Sequence, residues 1–215
     1  METLLRVNAL SHSFDYPLFN SLNFTLDKKQ SIAVTGVSGS GKSTLLHICS
    51  TLLKPKGGEV FINGKDIYRL PSDELVNIRR NSVGIIFQSH FLFKGFSVKE
   101  NMEIATVLTK SDFDKELIER LGISHILNNK VGDISGGQQQ RVSLARILLK
   151  KPKIIFADEP TGNLDAVTAG EVTALLFDYI KANNAALFLV THDLNLAKRC
   201  ERAYKLENFA LTTLQ

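Results

Sequence analysis

The segment Gly36-Val-Ser-Gly-Ser-Gly-Lys-Ser-Thr44 constrains this chain more than any other stretch. It fits the pattern G-x-x-x-x-G-K-[ST], with Gly36, Gly41, Lys42 and Ser43 in register. An apolar run, Ser31-Ile-Ala-Val-Thr35, precedes it and predicts a buried strand; Thr44-Leu-Leu-His-Ile-Cys49 follows and predicts a helix. Strand, glycine-rich loop and helix, in that order, are the context in which such a loop wraps a phosphate chain. Glycines let backbone N–H groups turn inward without Cβ clashes, and the helix N-terminus adds a partial positive charge beneath them. The expected cradle runs through Gly36, Val37, Ser38, Gly39, Ser40, Gly41, Lys42, Ser43 and Thr44. Lys42 is expected at the β- and γ-phosphates of ATP, and Ser43 is expected to hold Mg²⁺ through its hydroxyl.

A second apolar run, Lys153-Ile-Ile-Phe-Ala157, ends in Asp158-Glu159. An Asp at such a strand end can hold Mg²⁺, usually through water. Neighbouring strand residues point to opposite faces, and Pro160 is expected to bend the chain, so one carboxylate can face the metal while the next faces the attacking water. Glu159 is therefore the candidate general base. A third apolar run, Ala186 to Val190, leads into Thr191-His192-Asp193. His192 thus falls at a strand's carboxyl end, where open α/β sheets place ligands, and is a candidate hydrogen-bond donor to the γ-phosphate. His47 reads as a helix residue; His12, His90 and His125 read as loop or surface residues.

Ser135-Gly-Gly-Gln138 opens a predicted helix carrying Arg141 to Leu149. Ser135 with Gln138 three residues on fits a capping box. The two glycines go beyond a cap, since they leave bare N–H groups at a helix N-terminus that can dock on an anion. One phosphate loop is already present, so the chain does not need a second for itself.

With these residues in hand, the chain resembles the ATP-binding cassette (ABC) family over essentially its whole length. Ile134-Ser-Gly-Gly-Gln-Gln-Gln-Arg141 is similar to the ABC signature, with Ile134 where leucine is usual. The resemblance implies that Ser135, Gly136, Gly137 and Gln138 of one subunit close over ATP held by another. It implies a Q-loop role for Gln88, touching Mg²⁺ and sensing a membrane partner, a dimer-seam role for Asp165 and a switch role for His192. Adenine stacking is expected from an aromatic near the N-terminus, for which Phe14 aligns best and Tyr16 second. Asp27-Lys-Lys-Gln30 lacks the glycine that commonly precedes the loop strand.

The implied fold class is α/β: a P-loop NTPase fold with a mostly parallel core sheet, a small antiparallel β subdomain and a short helical subdomain at about residues 89–132. All of it is expected within a single ATP-binding domain, residues 1–215. Strands are predicted at Leu4–Leu10, Leu22–Leu26 and Gly57–Gly64, and helices at Pro71–Arg80 (Ser72 or Asp73 as cap), Val98–Leu108 and Phe113–Leu121. From Lys153 onward strand and helix alternate, which argues for parallel pairing.

Bulk properties narrow the function classes. No apolar run approaches the ~20 residues needed to cross a bilayer, and no secretory signal is evident. Cys49 and Cys200 do not make a disulfide framework and fit a reducing cytosol. Net charge is +4 with scattered basic residues, which does not point to nucleic acid; the densest cluster, Lys150-Lys-Pro-Lys153, suits the C-terminal end of the signature helix.

Pro160-Thr-Gly-Asn-Leu-Asp165 resembles the branch containing lipoprotein-releasing, macrolide-efflux and cell-division ATPases. Phe87-Gln-Ser-His-Phe-Leu-Phe93, His90 included, is most similar to the lipoprotein-releasing members. The resemblance implies a cytoplasmic ATPase, peripheral on the inner face of the cell membrane. It would form a homodimer around two Mg·ATP and drive integral membrane permease subunits. The alternatives are a cell-division-type signalling ATPase, a soluble non-transport ABC ATPase and a small-molecule kinase; the kinase would leave Ser135–Gln138 unexplained.

Overall fold

The computed structural model describes residues 2–89, 91–162 and 164–214, so His90 and Asn163 lie outside the described residues. β1 (Thr3–Ser13), β2 (Pro17–Asp27), β4 (Gly57–Ile62) and β5 (Lys65–Asp66) form an antiparallel sheet in the order β2-β1-β4-β5. β3 (Ser31–Thr35), β6 (Val83–Ile86), β7 (Ile154–Asp158), β8 (Ala186–Val190), β9 (Arg202–Glu207) and β10 (Ala210–Thr213) form a second sheet in the order β10-β9-β3-β8-β7-β6. Every pairing in that sheet is parallel except β9 with β10. The helices are α1 (Lys42–Cys49), α2 (Ser72–Asn81), α3 (Val98–Thr109), α4 (Lys115–Arg120), α5 (Gly136–Leu148), α6 (Ala166–Ala182) and α7 (Leu194–Lys198).

The parallel strands are short and apolar because both faces are covered. Their side chains sort by strand period into two cores. Ile32 and Val34 of β3, Ile154 and Phe156 of β7, and Phe188 and Val190 of β8 pack with β1, β2, β4 and α1. Ala33, Ile155, Ala157, Leu187 and Leu189 face the other way, toward α3, α5 and α6. Phe156 and Phe188 are fully buried with ring centroids 6.0 Å apart. The sheet is thus pinned between two packed layers, and the carboxyl ends of β3, β7 and β8 meet at one edge.

Several local expectations need correction. The first two strands run well beyond their apolar stretches, through irregular registers at Ala9 (φ 46) and Ser21 (φ 53), with the Asn23 side chain accepting the Ala9 N–H at 2.8 Å. Ser72 and Asp73 do not cap α2. Its N-cap is Pro71, without a side-chain cap bond, and Asp73 and Glu74 instead sit in the first turn, where the helix dipole favours them. The turn lacking glycine at residues 27–30 is made by Lys29 in the left-handed region (φ 64), tied to the Ala185 carbonyl. Lys150, just past the end of α5, also donates its ammonium to the Arg79 and Val83 carbonyls at 3.0 and 2.9 Å. Burial and the Arg146 charge push it below the ordinary lysine value. His12 is neither loop nor surface but a buried residue of β1.

Candidate functional site

The loop between β3 and α1 is held open by its glycines. Gly36 adopts φ 149, and a Cβ there would lie 2.8 Å from the Leu206 carbonyl oxygen. Gly41, at φ 97, is the N-cap of α1 and supplies no side-chain cap, so the helix begins with backbone N–H groups facing the loop. Lys42 donates to the Gly36 and Val37 carbonyls, each at 2.9 Å. Phosphate oxygens are stronger acceptors for an ammonium than neutral carbonyls, so a triphosphate in the loop would draw Lys42 off these bonds.

A cavity of about 440 Å³ opens over this loop. Gly36, Ser38, Gly39, Gly41, Lys42, Ser43 and Thr44 line it from below, Phe14 and Tyr16 from the β1–β2 bend, and Gln88, Asp158, Glu159 and His192 from the strand ends. Val37 and Ser40 do not line it; they face a second hollow behind the loop, against Leu206 and Phe209. Phe14 and Tyr16 are both more than half exposed, so either ring is available to a flat ligand.

The two carboxylates occupy different environments. Asp158 ends β7 and accepts from the Ser43 hydroxyl at 3.2 Å. Burial pushes its carboxyl above the ordinary value, opposed by the Ser43 hydrogen bond. Glu159 is not placed by strand alternation or by a bend at Pro160. Its own backbone turns into the left-handed region (φ 48), so both carboxylates line one cavity. One Glu159 oxygen lies 2.9 Å from His192 Nδ1 and the other accepts from the Thr191 hydroxyl at 3.2 Å. Thr191 also accepts the Asp193 N–H, which fixes its hydroxyl rotor.

The oxygen pair of Ser43 and Asp158 fits Mg²⁺, which is bound by one or two protein oxygens together with substrate phosphates. Among the described residues no group of three His, Cys, Asp or Glu forms a metal cage.

None of Ser135, Gly136, Gly137, Gln138 or Asp165 is among the described residues lining the cavity. The predicted capping box at α5 is present: Ser135 Oγ accepts the Gln138 N–H at 3.3 Å, and the Gln138 side chain accepts the Ser135 N–H at 2.9 Å. A Cβ at Gly136 would meet nothing within 4 Å, and Gly136 and Gly137 are not among the glycines at positive φ. Asp165 caps α6, accepting from the N–H groups of Val167 and Thr168 at 3.1 and 3.0 Å.

A family model described as "ABC transporter" matches residues 19–162. The chain belongs to the ABC transporter family. The lipoprotein-releasing system ATP-binding protein LolD of Shewanella denitrificans is 39% identical over 220 residues, covering 97% of this chain and 94% of the relative. LolD of Rickettsia bellii is 43% identical over 200 residues, covering 90% and 88%. Among solved structures, the dimeric post-hydrolysis state of the ATP-binding cassette MJ0796, bound to ADP and Pi, superposes with a TM-score of 0.89 at 29% identity, covering 99% of this chain and 98% of that one.

The chain is an ATP-binding, ATP-hydrolysing ABC subunit with the α/β cassette fold. Among the described residues no helix is long and apolar enough to cross a membrane.

Two positions of this ABC cassette escaped the motif reading. Thr191 acts through a hydroxyl that no pattern marks, although it directly precedes His192. Gln140, buried in α5, donates to the Pro160 carbonyl at 2.8 Å and so ties the signature helix to the turn that follows Glu159. Its place four and eight residues before Leu144 and Leu148 put it on the buried face, where an amide needs a partner.

Proposed function

We propose that this chain is the ATPase subunit of a lipoprotein-releasing-type exporter. It would be one cassette domain, with residues 89–132 as its helical part, working as a homodimer on the inner face of the membrane against integral permease subunits and with no role for nucleic acid. Phe14, with Tyr16 as the second candidate, stacks on adenine. The loop from Gly36 to Thr44 holds the phosphates. Ser135, Gly136, Gly137 and Gln138 of one copy close on the γ-phosphate held by the other, with Asp165 at the seam.

In this reading Glu159 takes a proton from the attacking water. The water oxygen bonds to the γ-phosphorus, the bridging β–γ bond breaks, and its electron pair leaves with ADP. Lys42 and the loop N–H groups stabilise charge as it spreads over the phosphate oxygens. Thr191 and His192 hold the two Glu159 oxygens in place, and His192 is set to exchange Glu159 for the γ-phosphate. Ser43, Asp158 and Gln88 would hold Mg²⁺, which would supply charge neutralisation at the phosphates.

The observation that carries the shared site is at α5: two glycines open the helix where the fold itself requires no glycine. The test is Glu159→Gln in the presence of ATP. Turnover is expected to fall by about a hundredfold or more with ATP binding retained, and the protein should elute as a trapped dimer. Full turnover with a monomeric elution profile would sink the reading. Release of a lipoprotein from vesicles by the co-purified complex tests the cargo; a complex that hydrolyses ATP and releases none favours the cell-division-type alternative.

A further inference from the structure

His12 occupies an inward position of β1, in step with Leu10, and lies opposite Phe19 of β2. It is only 4% exposed, and neither ring nitrogen has a hydrogen-bond partner among the described residues. Burying an imidazole without partners costs stability, and an apolar residue would fill such a slot without that cost. With no polar partner, the side chain works here as a ring and not through its nitrogens.

Its ring contacts lead toward the cavity. Strand period carries the His12 face on to Phe14, two residues along, at the start of the three-residue bend that joins β1 to β2. The two rings sit edge to face, centroids 5.0 Å apart at 88°. Behind His12 is Phe19, at 6.2 Å and 31°. Phe14 itself is 56% exposed and lines the nucleotide cavity. A ring on a short bend, so exposed, has rotamer freedom that would be lost on stacking; a firm neighbour removes that cost in advance.

We infer that His12 is a positioning residue for the nucleotide base: its buried imidazole, wedged between Phe19 and Phe14, fixes the plane on which adenine stacks. This rests on the reading that Phe14 is the adenine platform. The imidazole does its work uncharged. Burial, with the Lys56 charge adding to it, holds the ring below the ordinary histidine value, and β2 faces it with Phe19. A group so depressed keeps its arrangement at neutral pH and loses it as pH falls below the ordinary histidine range.

The experiment measures binding of Mg·ATP and of inorganic tripolyphosphate to the full chain and to His12→Ala, Phe14→Ala, the double variant and His12→Phe. His12→Ala is expected to weaken ATP about fivefold and leave tripolyphosphate unchanged, because only the base meets Phe14. In the Phe14→Ala background His12→Ala should add nothing, since the two act as one unit. His12→Phe should restore ATP affinity, and its ATP affinity should not share the extra acid-side loss of the wild type. Three results overturn the inference: ATP affinity unchanged in His12→Ala while Phe14→Ala weakens it, equal losses for ATP and tripolyphosphate, or full additivity in the double variant. If Phe14→Ala leaves ATP affinity intact, the platform reading itself fails, and this inference falls with it.

Discussion

Two glycine-bearing loops open helices in this protein, and their glycines answer to different demands. At Gly36 and Gly41 the backbone sits at φ 149 and φ 97, and added Cβ atoms would come within 2.8 Å of the Leu206 oxygen and 3.1 Å of Leu18 Cβ. Those glycines are required by the chain's own fold. At Gly136 an added Cβ would meet nothing within 4 Å, and at Gly137 the nearest atom is Thr168 Cγ2 at 4.0 Å. The first loop is finished inside one molecule, with Lys42, Ser43 and Asp158 already around it. The second is capped, and its glycines have open space around them. Glycine weakens a helix, so a pair at its start that the fold does not require supports the proposal that a partner's triphosphate docks there.

The largest blow to the first loop is Lys42→Ala. Removing the ammonium from the phosphates should lower ATP hydrolysis by about a hundredfold or more. A steady-state phosphate-release assay checks this, and a rate close to wild type would separate the loop from the chemistry. Gly136→Asp strikes the second loop instead. It places a carboxylate where the partner's triphosphate is proposed to dock, and like charges brought together there should reduce turnover by about a hundredfold. The single chain should still bind ATP within about twofold of wild type, because that loop lies outside its own cavity. Dimer formation with ATP, followed by light scattering, is the deciding measurement; an intact dimer would contradict the shared site.

Much of this contrast could be read from residue order. The apolar runs at Ser31, Ile154 and Ala186 announced buried strands because side-chain period and double burial leave few alternatives for such short segments. The capping box at Ser135 was legible because both partners lie within one helical turn. What escaped depended on distant contacts or on backbone twist. Nothing local says that Glu159 turns left-handed, that Thr191 reaches across to its carboxylate, or that Lys150 spends its ammonium on the carbonyls of Arg79 and Val83. His12 was misjudged because a polar residue near a strand end usually faces water, whereas here the alternation continues inward to a ring cluster.

Alanine at each loop sharpens the comparison without touching charge. Gly41→Ala forces an L-residue into the left-handed region beside Leu18, which costs about 1–2 kcal/mol and should lower Tm by about 4 °C. Gly136→Ala adds a helix-favouring residue in open space and should raise Tm by about 1 °C. The pair of melting curves reads the difference directly. Equal losses at both positions would mean that the α5 glycines are also needed by the fold, and the case for an external partner would weaken.

A comparably small expected effect concerns what the first loop costs the protein that carries it. Asp158 is held above its ordinary carboxyl value, chiefly by burial and also by the neighbouring Glu159 charge. A raised folded-state value means the folded protein binds the proton more tightly than the unfolded chain. That contribution is complete below the ordinary carboxylate range and is lost as pH rises through the raised value. At neutral pH the ionised carboxylate is therefore a mild burden on the nucleotide-free fold, one that the proposed Mg²⁺ role would offset. Asp158→Asn should raise the Tm of nucleotide-free protein by about 1–2 °C near neutrality, and the gain should disappear in acid, where the wild-type carboxyl is protonated as well. Adding Mg·ATP should reverse the ranking, because ligand binding stabilises the wild type by mass action and the variant much less. A variant that gains nothing without nucleotide, or gains as much from Mg·ATP as the wild type, would show that Asp158 is not the residue that trades stability for the cation.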